Sequence, residues 1–464
     1  MKGRPTSEQF QKQLEDMVNT LRSEIVRGHY AAGEYLPSEK MLAARFGLGN
    51  VSVRKGLDQL VEEALIEKIP RVGNRVRIKR TKGEPVSLTV SCSDVTVRNL
   101  ELSRLLDEFH KQYPWIRADY KIATAESTEG DVITLDNYQF RRLVETEGLP
   151  ALEPLDAQPD IYHGLFKPFL VRGRLYMQPI VFSPVVLCYN KAHFRECGLP
   201  IPDGGWTWDD LAGSAEKLSE VKGRYGFCFH VPDMNRWPLF LLLGGGRFEW
   251  DGPRLKPIRG TALMEGIRLC RNLIQNRKAF PLYLSQNNYD ISQMFSEGKI
   301  SMILTTYLGL NRWKRTELDY DITPVPRLDS PRTLSICLGA GVSTGTRYPE
   351  EARLLASFFT SPIAQRFIQK QTMSIPSSRL LPVRITDDAI RRPERYPMFR
   401  EMMFSLRTHH DLNVPATAFP VLFNQIKAYW ADLIDEEELC ARLESIRFDA
   451  NPNMTDEEGR EVER

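Results

Sequence analysis

The side chains with the clearest chemistry lie on one predicted helix near the start of this 464-residue chain. Val53, Leu57 and Leu60 recur at helical spacing, so they predict a helix with one buried side. The opposite side carries Ser52 and Arg54, which are hydrogen-bonding and basic. Short polar and basic side chains opposite an apolar stripe suit contacts with base edges in the major groove of DNA. The pattern therefore predicts a helix that reads nucleic acid.

A shorter helix is predicted directly before it. Ser38 can cap that helix, and Leu42 and Phe46 give it an apolar side. Gly47 supplies the turn between the two helices. Asn50 stands at the start of the reading helix, where it can either contact adenine with both amide atoms or cap the helix. The residues alone leave both roles open.

The flanks of this helix pair extend the pattern. Apolar residues at helical spacing occupy 10–25, and two alternating segments, 65–69 and 75–78, follow around a turn at 70–74. Three helices followed by a basic two-stranded wing make a winged helix-turn-helix. In this arrangement residues 9–80 resemble the GntR family of bacterial transcription regulators. The residues that carry the resemblance are Gly33, Leu36, Pro37, Ser38, Glu39, Leu42, Ala43, Phe46, Gly47, Val53, Arg54 and Leu57.

This chain departs from the family pattern at the positions that touch DNA. Gly49 and Asn50 stand where the family usually has Ser-Arg, and Ser52 replaces the usual Thr. The wing keeps Gly73 as a turn glycine and adds Arg75, a cation that can seek phosphate. The resemblance implies double-stranded operator DNA as the partner, and a homodimer is expected because such proteins bind two half-sites. The residues expected to contact that DNA are Ser38, Glu39, Arg45, Asn50, Ser52, Arg54, Lys55, Gly73, Asn74 and Arg75.

The charge of the chain is unevenly distributed. Residues 1–82 contain 16 Lys+Arg and 10 Asp+Glu, a net charge of +6. The remaining residues contain 46 and 50, a net charge of −4. A basic N-terminal part on a mildly acidic body fits nucleic acid as the partner of the first part only.

Cysteine usage and hydropathy bear on the cellular compartment. The seven cysteines are scattered, odd in number and without a C-x-x-C pair, which argues against a disulfide framework and against a zinc site. No apolar run approaches the roughly 20 residues that a membrane-spanning helix needs. Residues 1–8 lack the apolar core of a signal peptide. We therefore expect reduced thiols in a cytoplasmic protein.

A boundary between two folding units is expected after the wing. Residues 80–85 are charged and contain Gly and Pro, which predicts a linker. The expected division is a DNA-binding domain at 1–80, a linker at 81–86, an effector domain at 87–448 and a polar tail at 449–464. The effector domain begins with strand, helix and strand patterns, an order that builds a mostly parallel sheet. In such sheets ligands lie beyond the carboxyl ends of the strands.

The large C-terminal part contains a set of motif residues in a fixed order, which are Gly173, Leu175, Tyr176, Tyr189, Asn190, Lys191, Phe194, Gly198, Leu199, Pro200, Trp206, Trp208, Phe295, Gly298 and Lys299. By these residues the chain resembles the family 1 extracellular solute-binding proteins over roughly residues 86–448. The family fold is two α/β lobes joined by crossing strands, with a cleft that closes on a ligand. The segment 183–187 is the expected first crossing. Relatives bind mono- or oligosaccharides, so the resemblance implies a carbohydrate as effector.

A sugar needs an aromatic face for its C–H groups and several polar groups for its hydroxyls. Strand ends and family positions select the candidates for this cleft, although a Trp or Tyr in such a fold is more often a core residue. We assign Trp206 and Trp208 to packing, and we expect no metal and no cofactor. The candidate ligand-binding residues are Asp94, Asn137, Ser183, Asn235, Trp237, Tyr307 and Gly339.

The expected fold class is therefore multidomain, a winged helix-turn-helix (α+β) followed by a two-lobed α/β periplasmic-binding-protein-like domain. The expected function is a transcription regulator whose operator binding responds to a small molecule, not an enzyme. One alternative is a regulator with an aminotransferase-like body that uses pyridoxal phosphate. That body would need a Schiff-base lysine with an aspartate partner for the pyridine nitrogen, and no such constellation is recognisable. The other alternative is a plain carbohydrate receptor.

Overall fold

A computed structural model describes residues 7–26, 29–30, 33–63, 65–70, 72–77, 86–123, 129–149, 151–382 and 390–448. Of the predicted linker only Val86 falls within these residues, and the predicted tail at 449–464 lies outside them. The predicted domain boundaries therefore stay predictions at both places. Among the described residues, no helix combines the length and the apolar character that crossing a lipid bilayer demands.

The N-terminal part, which we call the head, is a three-helix unit with a two-stranded wing within its described residues. Its elements are α1 (Ser7–Val26), α2 (Glu39–Phe46), α3 (Asn50–Glu62), β1 (Ile66–Ile69) and β2 (Gly73–Val76). The wing strands pair antiparallel, with Ile66 opposite Val76. Met17, Val53 and Leu60 are fully buried in the head core. A Cβ on Gly56 would lie 2.3 Å from Cε of Met17, so glycine is what lets α3 approach α1. The three predicted helices and the two-stranded wing are confirmed. The second wing strand begins at Gly73, inside the predicted turn at 70–74, and Ile78, its predicted last residue, lies outside the described residues.

The remaining chain, which we call the body, begins with β3 (Val86–Cys92), α4 (Asp94–Leu100), α5 (Leu102–Gln112), β4 (Ile116–Ile122), β5 (Val132–Asp136) and α6 (Asn137–Thr146). The short strands β6 (Leu170–Val171) and β7 (Arg174–Leu175) precede the long strand β8 (Gln178–Asn190). Next come α7 (Lys191–Glu196), α8 (Trp208–Leu218), β9 (Tyr225–Cys228), α9 (Trp237–Leu243), β10 (Trp250–Asp251), β11 (Arg254–Leu255), α10 (Ala262–Gln275), α11 (Asn288–Ser296), β12 (Ile300–Thr306), α12 (Tyr307–Leu310) and β13 (Tyr320–Pro324). The chain then forms β14 (Thr333–Val342), α13 (Pro349–Phe358), α14 (Pro362–Gln371), β15 (Ile375–Pro376), β16 (Leu406–Arg407), α15 (Phe419–Trp430) and α16 (Glu436–Ser445).

One sheet runs through the body in the strand order β4-β3-β5-β14-β8-β12-β9. β3 is parallel to β4 and β5, whereas β14 is antiparallel to both β5 and β8. We call β3–β5, β14, β15 and the first half of β8, with α4–α6, α13 and α14, the first lobe. The second half of β8 with β9, β12 and β13, and the helices α7–α11, α15 and α16, form the second lobe. The mixed α/β body agrees with the predicted fold class.

The strand β8 joins the two lobes. Up to Pro184 it pairs with β14, and Phe182 also faces Ile375 of β15. From Val185 onward its partners are β12 and β13. Every residue of β8 is buried, which explains why the segment reads as an almost continuous apolar run. The change of partners falls within the predicted crossing at 183–187.

Candidate functional site

The exposed side of α3 is the candidate DNA-reading surface. Val53 and Leu57 point into the head core, whereas Val51 is 81% exposed. Arg54 and Lys55 are also exposed. Gly49 is the N-cap of α3 and no side chain bonds to that cap. Asn50 is thus an exposed first helical residue and does not cap the helix.

Ser38 and Glu39 support this surface from α2. The Ser38 hydroxyl accepts from the Met41 backbone N–H at 3.4 Å and caps α2. Glu39 Oε2 accepts from Arg54 Nε at 2.6 Å, while 60% of the Arg54 side chain remains exposed. Gly47, with φ of 67°, ends α2 in the left-handed conformation that favours glycine. α2 therefore fixes both the turn and the direction of the Arg54 side chain.

The other candidates of the head differ in exposure. Arg45 pairs with Glu24, and its guanidinium lies 4.9 Å from the Phe46 ring centroid, yet 41% of its side chain is exposed. Ser52 is half-buried on α3. Both remain within the candidate surface as flanking groups.

The wing corrects one prediction. Gly73 has φ of 143° at the start of β2, and Arg75 donates across the wing from Nε to Glu67 at 2.7 Å. Asn74, however, is only 6% exposed, and its backbone carbonyl accepts from Leu36 N–H at 2.8 Å. The Asn74 side chain is directed into the head because alternate residues of a strand face opposite sides, so it offers no surface to DNA.

The sequence pattern did not single out the exposed apolar groups beside the polar ones. Val51 lies next to Asn50 on α3, and Met41 and Val72 are each 63% exposed. A methyl-bearing side chain near a helix N-terminus can contact the thymine methyl group in the major groove. The sequence contains an indication of this exposure, because Val51 does not share the helical spacing of the buried residues Val53, Leu57 and Leu60.

The candidate ligand site lies where α6 of the first lobe meets the second lobe. Asp136 ends β5 and caps α6, accepting from Gln139 N–H at 2.8 Å. Burial raises the pKa of Asp136 to about 6, and the nearby charge of Asp233 adds to that shift although the cap contacts oppose it. Asn137 Oδ1 accepts from Cys337 N–H at 2.8 Å. Burial therefore makes the ionised form of the Asp136 carboxyl group less favourable than it is in water.

A cavity opens beside Asn137 between the lobes. It comprises about 280 Å³ of space between atoms, part of it open to solvent. Almost none of this space is wide enough to hold a ligand, so the described conformation is a nearly closed site. The cavity is lined by Asn137, Arg141, Pro168, Thr408, His409, His410, Val414, Ala416 and Phe419.

His409 lines this cavity and carries a ring nitrogen that can accept a hydrogen bond. Its Nε2 lies 2.7 Å from the Met234 carbonyl, which can only accept, so Nε2 carries the proton. Nδ1 is then an acceptor, and it is buried without a hydrogen-bond partner among the described residues. Burial lowers the pKa of His409 to about 4, against the opposing effects of the Met234 carbonyl and the Asp233 charge. The ring is thus neutral at about pH 7.

Asn235 supplies a comparable group from the second lobe. Its backbone N–H donates to Asp233 Oδ1 at 2.5 Å. Its side-chain Oδ1 is buried and has no hydrogen-bond partner within the described part of the chain. Asp233 acts electrostatically on both Asp136 and His409, so these groups form one cluster across the lobes.

The two aromatic candidates are core residues. Trp237 is fully buried, with its ring 5.4 Å from the Phe423 centroid. Tyr307 is fully buried too, and its hydroxyl donates to the Tyr396 carbonyl at 3.0 Å. Neither ring presents a face to a ligand in this structure, because each is already covered by aromatic neighbours. The expectation that they form the sugar platform is corrected.

Three further candidates for ligand binding make contacts within the fold instead. Ser183 is fully buried in β8, and its Oγ accepts from Leu308 N–H at 2.9 Å. A Cβ on Gly339 would lie 3.0 Å from Cβ of Met177, so Gly339 allows close packing rather than facing a cleft. Asp94 lies exposed in the first turn of α4 and pairs with Arg98 at 2.6 Å. Of the predicted ligand residues, the structure brings Asn137 and Asn235 to the cluster at Asp136.

One exposed aromatic residue carries a signal that the sequence pattern did not single out. Tyr289 is 53% exposed at the start of α11, and the Arg312 guanidinium carbon lies 3.6 Å from its ring centroid. The preceding residue, Asn288, donates to Asp233 of the cluster. The indication in the sequence is that Tyr289 stands within the polar stretch 286–290, where an aromatic side chain is expected at the surface.

Comparisons with known families and proteins agree with this architecture. Residues 110–383 match the family described as bacterial extracellular solute-binding protein, and residues 14–76 match the bacterial regulatory proteins of the gntR family. The first match covers more than half of the chain. The chain belongs to the bacterial extracellular solute-binding protein family and carries a gntR-family helix-turn-helix domain at its N-terminal side. Its matched families are of the regulator and solute-binding types.

Individual relatives match one part of the chain or the other. A putative binding protein of Brucella abortus is 24% identical over 224 residues, 46% of this chain and 54% of that protein. The galactooligosaccharide-binding protein of Bacillus subtilis is 22% identical over 317 residues, 64% of this chain and 73% of that protein. The mannosyl-D-glycerate transport/metabolism system repressor MngR of Escherichia coli is 36% identical over 73 residues, 16% of this chain and 30% of MngR. The chain thus spans about half the length of the Brucella relative.

Solved structures share the fold of the body. A substrate-binding protein from Listeria monocytogenes in complex with cycloalternan gives a TM-score of 0.66 at 21% identity, covering 78% of this chain and 97% of that one. Maltose-bound T. maritima MalE3 gives 0.65 at 17% identity, covering 77% and 98%. At these identities the likeness establishes the two-lobed fold alone.

Proposed function

We propose that this protein is a transcription regulator that binds operator DNA through its head and captures a carbohydrate between its lobes. The observation that carries the proposal is the exposed polar and basic side of α3 in a chain whose body has the solute-binding fold. The proposed base-reading groups are Asn50, Val51, Arg54 and Lys55. The proposed backbone contacts come from Arg45 and Arg75. Such a head acts in the compartment that holds the DNA.

The chemistry of the cleft supports a ligand rich in hydroxyl groups. Asp136, His409 Nδ1 and Asn235 Oδ1 are all acceptors, and the last two lack partners among the described residues. Buried acceptors left unpaired cost free energy, so a ligand that donates hydrogen bonds to them would be favoured. Sugars donate through every hydroxyl and expose apolar C–H faces. Tyr289, which is 53% exposed beside Asn288 and carries Arg312 on its ring, is the proposed aromatic partner for those faces. The relatives that bind oligosaccharides are consistent with this ligand class.

Regulation would follow from the geometry of a dimer. Two half-sites one helical turn apart require reading helices about 34–36 Å apart. A rotation of one lobe against the other around β8 would change that separation if the heads follow the lobes. The sugar would shift DNA affinity only by its preference for one lobe arrangement over the other.

The two alternatives fare differently. The body has the fold of the two-lobed solute-binding proteins, so the first alternative, a regulator with an aminotransferase-like body, does not fit the chain. A plain receptor has no use for a helix-turn-helix head that exposes Arg54 and Asn50, so the regulator accounts for more of the chain.

The test uses the full chain and does not require the operator sequence. Duplexes enriched by the protein from a random library serve as the DNA probe. A thermal-shift screen with maltose, maltotetraose, a galactooligosaccharide and D-mannitol identifies stabilising sugars, because selective binding raises apparent stability. A sugar that raises the melting temperature should also change the affinity for the enriched duplex. Failure to enrich any duplex, or a binding sugar without effect on DNA affinity, would contradict the proposal.

A further inference from the structure

Arg22 of α1 is buried between the reading helix and the first lobe. Its side chain is 2% exposed, and Nε donates to Glu63 Oε2 at 2.8 Å. Nη2 donates to the other carboxylate oxygen, so the pair is bidentate. Glu63 is the C-cap residue of α3. The end of the reading helix is therefore tied to α1 by a buried ion pair.

Tyr113 of the body completes this cluster. It follows α5 as its C-cap residue and is only 2% exposed. The guanidinium carbon of Arg22 lies 5.9 Å from the Tyr113 ring centroid, and the hydroxyl interacts electrostatically with Glu63 and Arg22. Burial disfavours the charge of Arg22, but the Glu63 carboxylate outweighs it and raises the pKa of Arg22. The guanidinium stays charged inside an interface between head and body.

The Tyr113 ring is itself anchored within the first lobe. It packs against Phe109 at 4.8 Å and Trp115 at 5.4 Å between centroids. Phe109 is fully buried on α5, in the same core as β3 and β4. A movement of α5 must therefore move the ring that covers Arg22.

A second contact lies about two turns earlier on α1. Arg366 of α14 donates from Nη2 to Glu15 at 3.0 Å. The neighbouring Gln365 is fully buried, donates to the Ile180 carbonyl of β8 at 2.9 Å and accepts from Ser378 N–H at 2.9 Å. α14, which contacts the head through Arg366, is thus hydrogen-bonded through Gln365 to β8, the strand that crosses between the lobes.

Magnitudes separate the two contacts. The Glu15–Arg366 pair is partly exposed, so by itself it contributes little. Separating the head from the body would expose the buried Tyr113 ring and break its contact with the Arg22 guanidinium. The Tyr113 contact is therefore the stronger fastening, and Arg366 restricts rotation about it.

We infer that Tyr113 and Arg366 fasten the reading helix to the first lobe, so that the head and the first lobe turn as one body. The consequence for regulation, that lobe closure repositions the reading helices of a dimer, rests on the proposed function. The fastening itself does not, because it concerns contacts within one chain.

Hydrogen exchange of the full-length protein, followed by mass spectrometry without DNA or sugar, tests the fastening. The variants are Tyr113→Leu, which removes the aromatic face and the hydroxyl but keeps an apolar side chain, Arg366→Gln, and the two combined. We expect exchange of the α1 and α3 amides to rise at least about threefold in the combined variant. Exchange of α10, in the second lobe, should stay at the wild-type rate. Both substitutions lie in the body, so faster exchange in the head reports the contact between the two units.

Two matched controls exclude a general loss of stability. Tyr120→Leu alters an exposed tyrosine of β4, and Arg353→Gln breaks an ion pair with Glu153 inside the body. Unchanged exchange of α1 and α3 in the combined variant would overturn the inference, as would an equal rise in the control variants. If Tyr113→Leu also raises the exchange of α10, Arg366→Gln, at a half-exposed arginine, decides alone by the same criterion. A protein that fails to bind DNA or sugar still gives this result, so the two proposals fail separately.

Discussion

Arg54 of the reading helix donates from Nε to Glu39 of the preceding helix at 2.6 Å, and 60% of its side chain stays exposed. The contact ties the inner edge of the guanidinium to α2, and its outer edge faces solvent. An arginine whose direction is set before binding loses less side-chain entropy when it meets phosphate or guanine. The pair therefore suits a DNA contact better than either residue would alone.

Arg54→Ala should weaken binding to the library-enriched duplex by about 1–3 kcal/mol, or roughly 5- to 150-fold. If the contact is to phosphate, the slope of log affinity against log salt should fall by about one. Fluorescence anisotropy across a salt series measures both. Arg117→Ala, at a 72% exposed arginine of the body, is the control. Equal affinity of the wild type and Arg54→Ala at every salt concentration would remove Arg54 from the DNA surface.

Val51→Ser and Val53→Ala separate DNA contact from folding. Val51 is 81% exposed, so Val51→Ser should leave the free energy of unfolding within about 0.5 kcal/mol of wild type and reduce DNA affinity. Val53 is fully buried, so Val53→Ala should cost about 1–3 kcal/mol of head stability. Urea unfolding and anisotropy together distinguish the two. Loss of stability in Val51→Ser would show that this side chain is part of the core.

Asp136→Asn should stabilise the protein in a pH-dependent way. The pKa of Asp136 is raised by burial from 3.8 to about 6, so the folded state holds this proton more tightly than the unfolded chain. The wild type therefore keeps this contribution below pH 3.8 and loses it as the pH rises through about 6. Asparagine can also cap α6 but does not titrate. The variant should gain about 1–3 kcal/mol over wild type at about pH 7 and nothing at about pH 4.

Urea unfolding of both proteins across that pH range measures the difference directly. The matched control is Asp435→Asn. It also replaces an aspartate that caps a helix, but Asp435 lies at the exposed start of α16. A constant difference between wild type and Asp136→Asn at all pH values would mean that Asp136 does not titrate in this window.

Ser183→Ala should destabilise the junction of the lobes. Removal of the hydroxyl leaves the Leu308 N–H without the acceptor that it has at 2.9 Å, at a cost of about 1–3 kcal/mol. Ser296→Ala, which removes a local hydroxyl contact at the exposed end of α11, is the control and should cost less than about 0.5 kcal/mol. Chemical denaturation compares them. Equal losses of stability in the two variants would indicate that the Ser183 hydroxyl does not stabilise the junction through the Leu308 N–H.

The sequence by itself determined the head, and its resemblance to the solute-binding proteins implied the two-lobed fold of the body and the crossing within β8. The stripe of Val53, Leu57 and Leu60 and the apolar run of β8 are local patterns, and local periodicity dictates which side of an element is buried. It also identified Asn137 and Asn235 as polar groups near strand ends.

Only the tertiary structure decided what those polar groups meet. Asp136, Asn235 and His409 are far apart in sequence, and their cluster exists because β8 brings the lobes together. The same long-range packing buries Trp237 and Tyr307 under aromatic neighbours. Composition cannot separate an aromatic platform from an aromatic core, because both need the same side chain and differ only in what covers it.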